Sequence, residues 1–243
     1  MTVRRLYAGE LPEGGGQVTL DAGSSRHVRV LRLRVGDEVV LFDGSGRAAR
    51  ATISSCGDIV VCEADAPTAV ASKRPRVVLL LALPKGATLD DCVRMATELG
   101  VDEVALMRTE RSVPRWDEAR ALSRVERLTR IACEASAQCE RDDVPIIHAP
   151  QSLDAWIERF PDSAMGVMFG ARAKERLDLG CTPEQVWCAV GPEGGFTLRE
   201  RESFEAAGFR VASLGRWVLR VDTAVAAALT TVGDRLDGSL SAR

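Results

Sequence analysis

The stretch "VGPEGGFTLRE", residues 190–200, joins an apolar run to a helix start through a turn holding Gly191, Pro192, Glu193, Gly194 and Gly195. Glycine-rich turns after a strand present backbone N–H groups, and phosphates often occupy them. A carboxylate at Glu193 would repel a phosphate, so this loop suits a cationic or neutral ligand better. Two other segments share its form: "MFGARA" from Met168 and "SLGRWVLR" from Ser213. The dinucleotide pattern G-x-G-x-x-G, the phosphate loop G-x-x-x-x-G-K-[ST] and the nucleophile elbow G-x-S-x-G are all absent. S-adenosylmethionine, with a sulfonium, an ammonium and no phosphate, fits such a loop.

These loops need a scaffold, and the sequence supplies an alternating one. "RVVLLLALP", "EVALM", "PIIHA", "AMGVMFG", "QVWCAVG" and "RVASLG" read as strands. Helical segments separate most of them, which is the signature of a parallel α/β sheet. Leu89, Val93 and Ala96 share a helix face, capped by Thr88 and stopped by Gly100. A long helix over about 117–138 puts Leu122, Val125, Leu128, Ala132 and Ala135 on one side. "LDAWIERF" repeats at i, i+3, i+4 and i+7. Thr197 and Glu200 form a capping box, and the last helix follows "LRVDTA". In an open α/β sheet, ligands bind beyond the carboxyl ends of the strands, where the three loops lie.

Before residue 73 the rhythm is different. "DEVVLFDGSGRAARATI" reads as two strands around a turn, and "DIVVCEA" as another. "SSRHVRVLRLRVGD" reads as one short helix, capped by Ser24 or Ser25 and burying Val28, Leu31 and Val35. A small β-rich domain over 1–72, a linker around "APTAVASKRPR" and an α/β domain over 73–243 are expected. "RHVRVLRLR" carries four arginines and no acid, a pattern suited to phosphates or to a solvated face.

The formal charge of −3 decides nothing about nucleic acid by itself. Seven cysteines without a C-x-x-C pair and only two histidines argue against a metal site, leaving buried, reduced thiols. No apolar run is long enough to cross a bilayer and no signal peptide is visible, so a cytoplasmic protein is expected.

"PKGATLDDCVRMATELGV", "ERSV", "EASAQCER", "VGPEGGFTLRE" and "LGRWVLRVDTA" together resemble the bacterial 16S rRNA uracil-N3 methyltransferases. The opening "RRLYAGEL" and "RHVRVLRLRVGDEVVLFDG" resemble that family's PUA-like domain, so the likeness spans nearly the whole chain. It implies a trefoil-knotted α/β methyltransferase domain behind a PUA-like RNA-binding domain. It also implies a homodimer with active sites at the subunit interface, acting on 16S rRNA or the small ribosomal subunit. S-adenosylmethionine would be held by Phe169, Gly170, Gly191, Pro192, Glu193, Gly194, Gly195, Leu214, Gly215 and Leu219. Related readings are a knotted enzyme acting on tRNA or 23S rRNA, and an assembly factor without catalysis.

Uracil N3 is protonated at neutral pH, so the reaction needs a base. Glu193, Asp222 and Glu134 are the candidates, and Arg220 is placed to steady a developing uracil oxyanion. Asp222 is equally suited to starting the last helix, and Glu134 with Gln138 to a polar helix face. Arg5, Arg26, Arg29, Arg32, Arg111 and Arg141 are expected on RNA. The sequence departs from the family pattern at Val221, where a hydroxyl is usual, at Asp222, where glutamate is usual, and at Glu140, where glycine is usual.

Overall fold

The computed structural model describes residues 3–69, 74–170, 173–180 and 183–241, with side chains described as far as 236. The chain divides into two compact units, Met1–Ser72 with Ala132–Val144, and Lys73–Ile131 with Pro145–Arg243.

The first unit is a six-stranded sheet built from β1 (Arg4–Tyr7), β2 (Gly16–Thr19), β3 (Glu38–Phe42), β4 (Arg47–Cys56), β5 (Val60–Ala64) and β6 (Thr68–Ala69). The order is β1-β3-β4-β5-β2, with β6 beside β4. On β4, Ala49, Ala51 and Ile53 are buried while Arg50, Thr52 and Ser54 face solvent, the two-residue period of a half-buried strand. Asp43 closes the β3–β4 turn by accepting hydrogen bonds of 2.8 Å from the Ser45 amide and hydroxyl.

The one helix of residues 3–69, α1 (Ala22–Val30), packs through Val28. Its N-cap is Asp21, not Ser24 or Ser25: the Asp21 carboxylate accepts from the Ser24 amide at 2.6 Å. The serines lie inside the helix and tie it to the sheet. Ser24 Oγ donates to the Tyr7 carbonyl, and Ser25 Oγ accepts from the Val60 amide at 3.0 Å. The helix stops at Val30, so Val35 is 60% exposed and not part of a buried face. The expected linker around 66–76 contains β6, and its residues 70–73 lie outside the described residues.

The second unit is a six-stranded sheet, parallel throughout: β7 (Arg76–Ala82), β8 (Glu103–Arg108), β9 (Ile146–Ser152), β10 (Ala164–Phe169), β11 (Gln185–Val190) and β12 (Arg210–Ala212). The strand order is β12-β10-β11-β7-β8-β9. The chain thus lays down β7 and β10 first and later inserts β11 between them. Val78, Leu80, Trp187 and Phe204 belong to its core. Helices α2 (Thr88–Glu98), α4 (Leu153–Ile157), α5 (Leu198–Ala206) and α6 (Val221–Ser241) connect or follow the strands. The N-cap of α2 is Ala87, which makes no side-chain cap, and Thr88 is the first helical residue. Helix α3 (Glu118–Gln138) buries Ala121 and Leu128, whereas Leu122 is 56% exposed. Four of the cysteines, at 62, 92 and 188 buried and at 56 exposed, divide unlike the uniform burial expected, and Cys181 lies outside the described residues.

Residues 132–144 belong to the first unit for visible reasons. Ser136 Oγ donates to the Asp143 carbonyl at 3.0 Å, and the Val144 amide donates to the Gly44 carbonyl at 3.0 Å. Arg5 pairs with Asp142 and lies over the Phe42 ring, 5.8 Å from its centroid. Arg141 pairs with Asp143.

Helix ends explain one departure from the family pattern. α3 closes with the Arg141 amide bonded to the Ser136 carbonyl at 3.0 Å, the six-to-one bond of a Schellman ending, which places Glu140 at φ 65°. α1 ends the same way with Arg32 at φ 57°, whereas α2 and α5 use Gly100 and Gly208 there. A side chain in the left-handed region costs about 1–2 kcal/mol. Burial disfavours the Arg5 cation and the charge of Glu140 favours it, but Glu140 itself is exposed, and a pair with one end in solvent contributes only about 1 kcal/mol. Strain should win. Glu140→Gly is expected to stabilise the protein by about 1 kcal/mol in urea denaturation, and a loss of stability would show that the charge matters more.

Candidate functional site

Strands β12, β10 and β11 are neighbours and parallel, so the loops after them leave the same sheet edge side by side. Positions about twenty residues apart in sequence thereby meet. They enclose a pocket of about 430 Å³, within the common range of about 300–1,000 Å³ for small-molecule sites. Phe169 and Gly170 line it from β10, Gly191 to Gly195 from β11, and Leu214, Gly215 and Leu219 from β12. All ten residues assigned to the cofactor are therefore brought together. Phe196, Arg201 and Trp217 join them without having been singled out.

The "GPEGG" loop is pinned by three cross-ties. Glu193 Oε1 accepts the Lys85 amide at 2.9 Å, fixing the loop to the segment after β7. The Arg111 guanidinium donates to the Gly194 carbonyl at 2.7 Å, fixing it to the segment after β8. The buried Glu200 carboxylate accepts two amides at 2.8 Å, from Thr197 in its own capping box and from Glu110. A Cβ on Gly194 would sit 3.1 Å from Arg111 Cδ, and Gly195 needs φ 66°. Gly195 is favoured by its conformation, and a side chain at 194 would need the Arg111 side chain to give way.

Glu193 is the one acid of the lining, with Arg111 and Arg201 as cations. Arg220 and Asp222 do not line the pocket. Arg220 is exposed, just ahead of α6. Asp222, in the first turn of α6, accepts the Thr223 amide at 2.8 Å, a placement that suits the positive end of the helix dipole. Burial pushes the Cys92 thiol up to about 12, helped by the charges of Asp222, Asp91 and Glu193, so this thiol is inert at neutral pH. Glu134 lies exposed on the part of α3 that belongs to the first unit.

The six arginines assigned to RNA divide. Arg26, Arg29 and Arg32 are exposed on and just after α1, with Arg29 only 3.5 Å from a fully exposed Asp58. Arg5 and Arg141 are occupied by Asp142 and Asp143, with side chains 16% and 12% exposed, and hold the first unit together. Arg111 shapes the pocket wall. Among the described residues no group of histidine, cysteine or acid side chains is arranged to hold a metal, and no helix is long and apolar enough to cross a membrane.

A parallel α/β sheet with a glycine-lined pocket at its carboxyl edge, in a chain that begins with a small β unit, fits the trefoil-knotted RNA methyltransferases that the sequence resembles. Models described as an RNA methyltransferase domain and an RNA methyltransferase PUA domain match residues 72–233 and 20–59. The chain is 30% identical to ribosomal RNA small subunit methyltransferase E of Mycobacterium bovis, over 99% of this chain and 96% of that one. It is 32% identical to the Synechocystis protein of the same name, over 90% and 74%. It belongs to the ribosomal RNA small subunit methyltransferase E family. The member from Neisseria gonorrhoeae, solved bound to S-adenosylmethionine, superposes with a TM-score of 0.88 at 26% identity, covering 96% of this chain and 98% of that one. A Legionella pneumophila protein in complex with the cofactor SAM gives 0.89 at 26% identity, with the same coverage.

Glu200 bears directly on the site's rigidity. Glu200→Ala strands two amides without acceptors and is expected to cost about 2 kcal/mol or more in urea denaturation, with Glu200→Gln costing about half. A loss below about 0.5 kcal/mol would show that neither bond holds the loop.

Proposed function

We propose that this protein transfers a methyl group from S-adenosylmethionine to N3 of a specific uridine in 16S rRNA. The observation that carries the reading is the three-loop pocket, in a chain whose family acts on small-subunit RNA. Its residues fit the cofactor: apolar walls, backbone donors and acceptors from three loops, and a carboxylate in place of a phosphate cradle. When bound, S-adenosylmethionine supplies a methyl group already activated by its sulfonium.

The chain's own residues then have two tasks, alignment and proton removal. Loops tied together by Glu200 and Arg111 hold a fixed shape, and alignment of this kind supplies up to about 7–11 kcal/mol of a barrier. Glu193 is our choice of base. It lines the pocket, and the Lys85 amide on Oε1 orients the carboxylate and leaves Oε2 for the N3 proton. Arg220, exposed beside the same loop, would steady negative charge on the uracil oxygens. Asp222 is assigned to the start of α6.

The first unit serves as the RNA-binding module, through Arg26, Arg29 and Arg32. Arg32 keeps a cation at a left-handed position that glycine would occupy with less strain, the kind of outlier that often accompanies function. A homodimer in the cytoplasm, acting on 16S rRNA or the small subunit without a metal, completes the reading.

Small-subunit RNA lacking the modification, incubated with the protein and S-adenosylmethionine and digested to nucleosides, should yield 3-methyluridine at about one per RNA molecule. Methyl found on ribose, on another base or nowhere would overturn the assignment. Glu193→Gln keeps an acceptor for Lys85 but not the base, so single-turnover rates should fall about 10²-fold or more. Near-normal rates would return the role to Asp222 or to water. Arg26→Ala with Arg29→Ala should weaken RNA binding and flatten its salt dependence by about two counterions, with S-adenosylmethionine affinity unchanged. An unaltered salt slope would remove α1 from the RNA interface.

A further inference from the structure

N3 lies on the pairing edge of uracil, and a base that reacts there must leave its stack. An unstacked base regains contact on an aromatic or guanidinium face, as in single-stranded RNA recognition generally. Three aromatic residues line the pocket, Phe169, Phe196 and Trp217. Phe169 is 7% exposed. Phe196 stands edge-on to Phe204, with centroids 5.1 Å apart, and covers Gly191 so closely that a Cβ there would meet its ring at 3.2 Å. Phe169 is thus buried, and Phe196, half-buried, is packed against Phe204 and Gly191. Trp217 is 69% exposed, with the Arg216 guanidinium 4.5 Å from its ring centroid. A cation steadies the indole on one side, and most of the ring remains open to solvent at the pocket wall.

A second observation extends the first. Arg216 also lines an adjoining cleft of about 900 Å³, which shares Ala173, Leu214 and Gly215 with the pocket. That cleft carries Lys174, Arg176, Arg216 and Arg235 against a single acid, Asp234. Such a surplus of cations suits the phosphates on either side of an extruded nucleotide.

We infer that Trp217 is the stacking platform for the target uracil, braced by Arg216, which joins it to a basic cleft for the neighbouring phosphates. This inference rests on the uracil-N3 reading of the site. It makes Trp217 a substrate-contacting residue that positions the base without taking part in proton transfer.

The test uses the full chain, with Trp217→Ala and Trp217→Phe. In single-turnover and steady-state methylation of unmodified 16S rRNA, Trp217→Ala should lose about tenfold or more in kcat/KM, a size typical of one stacked base. Trp217→Phe should recover most of the loss. Affinity for S-adenosylmethionine should stay within about twofold in both, and a uridine oligonucleotide should quench the tryptophan fluorescence of wild type but not of Trp217→Phe. Four results would overturn the inference. These are unchanged kcat/KM in Trp217→Ala, absence of the quench in wild type, a matching loss of cofactor affinity, which would put adenine on Trp217, or altered sedimentation, which would put a second copy there. If wild type itself makes no 3-methyluridine, the functional reading fails and this inference falls with it, a result distinct from an active wild type matched by Trp217→Ala.

Discussion

The site depends on the entry of β11 between β7 and β10. Had β11 joined the sheet at an edge, its loop would have had solvent on one side. Inserted centrally, it has the segment after β7 on one flank and the loop after β10 on the other. The "GPEGG" turn is then held from Lys85 through Glu193 and from Arg111 through Gly194. Placing residues 169, 191 and 214 on one parallel edge turns three short glycine-containing turns into one enclosure. No one of them could bind a ligand of this size alone.

That arrangement also sets the electrostatics. Glu193 suits a cationic ligand, yet Arg111 and Arg201 share the lining, so the pocket is not simply acidic. The carboxylates nearby have separate duties. Glu200 is buried and fully engaged by backbone donors, and Asp222 faces its own helix start. Glu193 alone combines a fixed orientation with access to the pocket. The first unit shows the same economy among its arginines, with Arg5 and Arg141 neutralised by Asp142 and Asp143 and the α1 arginines left for solvent or ligand.

Much of this was legible in the sequence where the physics is local. Buried parallel strands read as unbroken apolar runs because both faces are covered, as at Val77–Ala82. The capping box of Thr197 and Glu200 spans three residues and was equally plain. Cap identity at α1 was not, because Asp21, Ser24 and Ser25 are all good cap types and tertiary bonds to Tyr7 and Val60 decided between them. The cofactor loops could be found from glycine and strand ends, with the family resemblance fixing their residues. The second duty of Glu200 could not, since its partner amide lies ninety residues away. Arg5 looked like a ligand for RNA because charge is visible in a sequence and burial is not. Trp217 lay within the loop "SLGRWVLR" but was not singled out there, because only its exposure separates it from the apolar residues around it.

The central claim is that three loops at one sheet edge form a single binding enclosure. Amide hydrogen exchange of the full chain, with and without saturating S-adenosylmethionine and no RNA, tests it most directly. Protection should rise together in residues 168–170, 190–196 and 213–219, while α1 over 22–30 exchanges as before. Protection confined to one loop, or falling outside all three, would contradict the account.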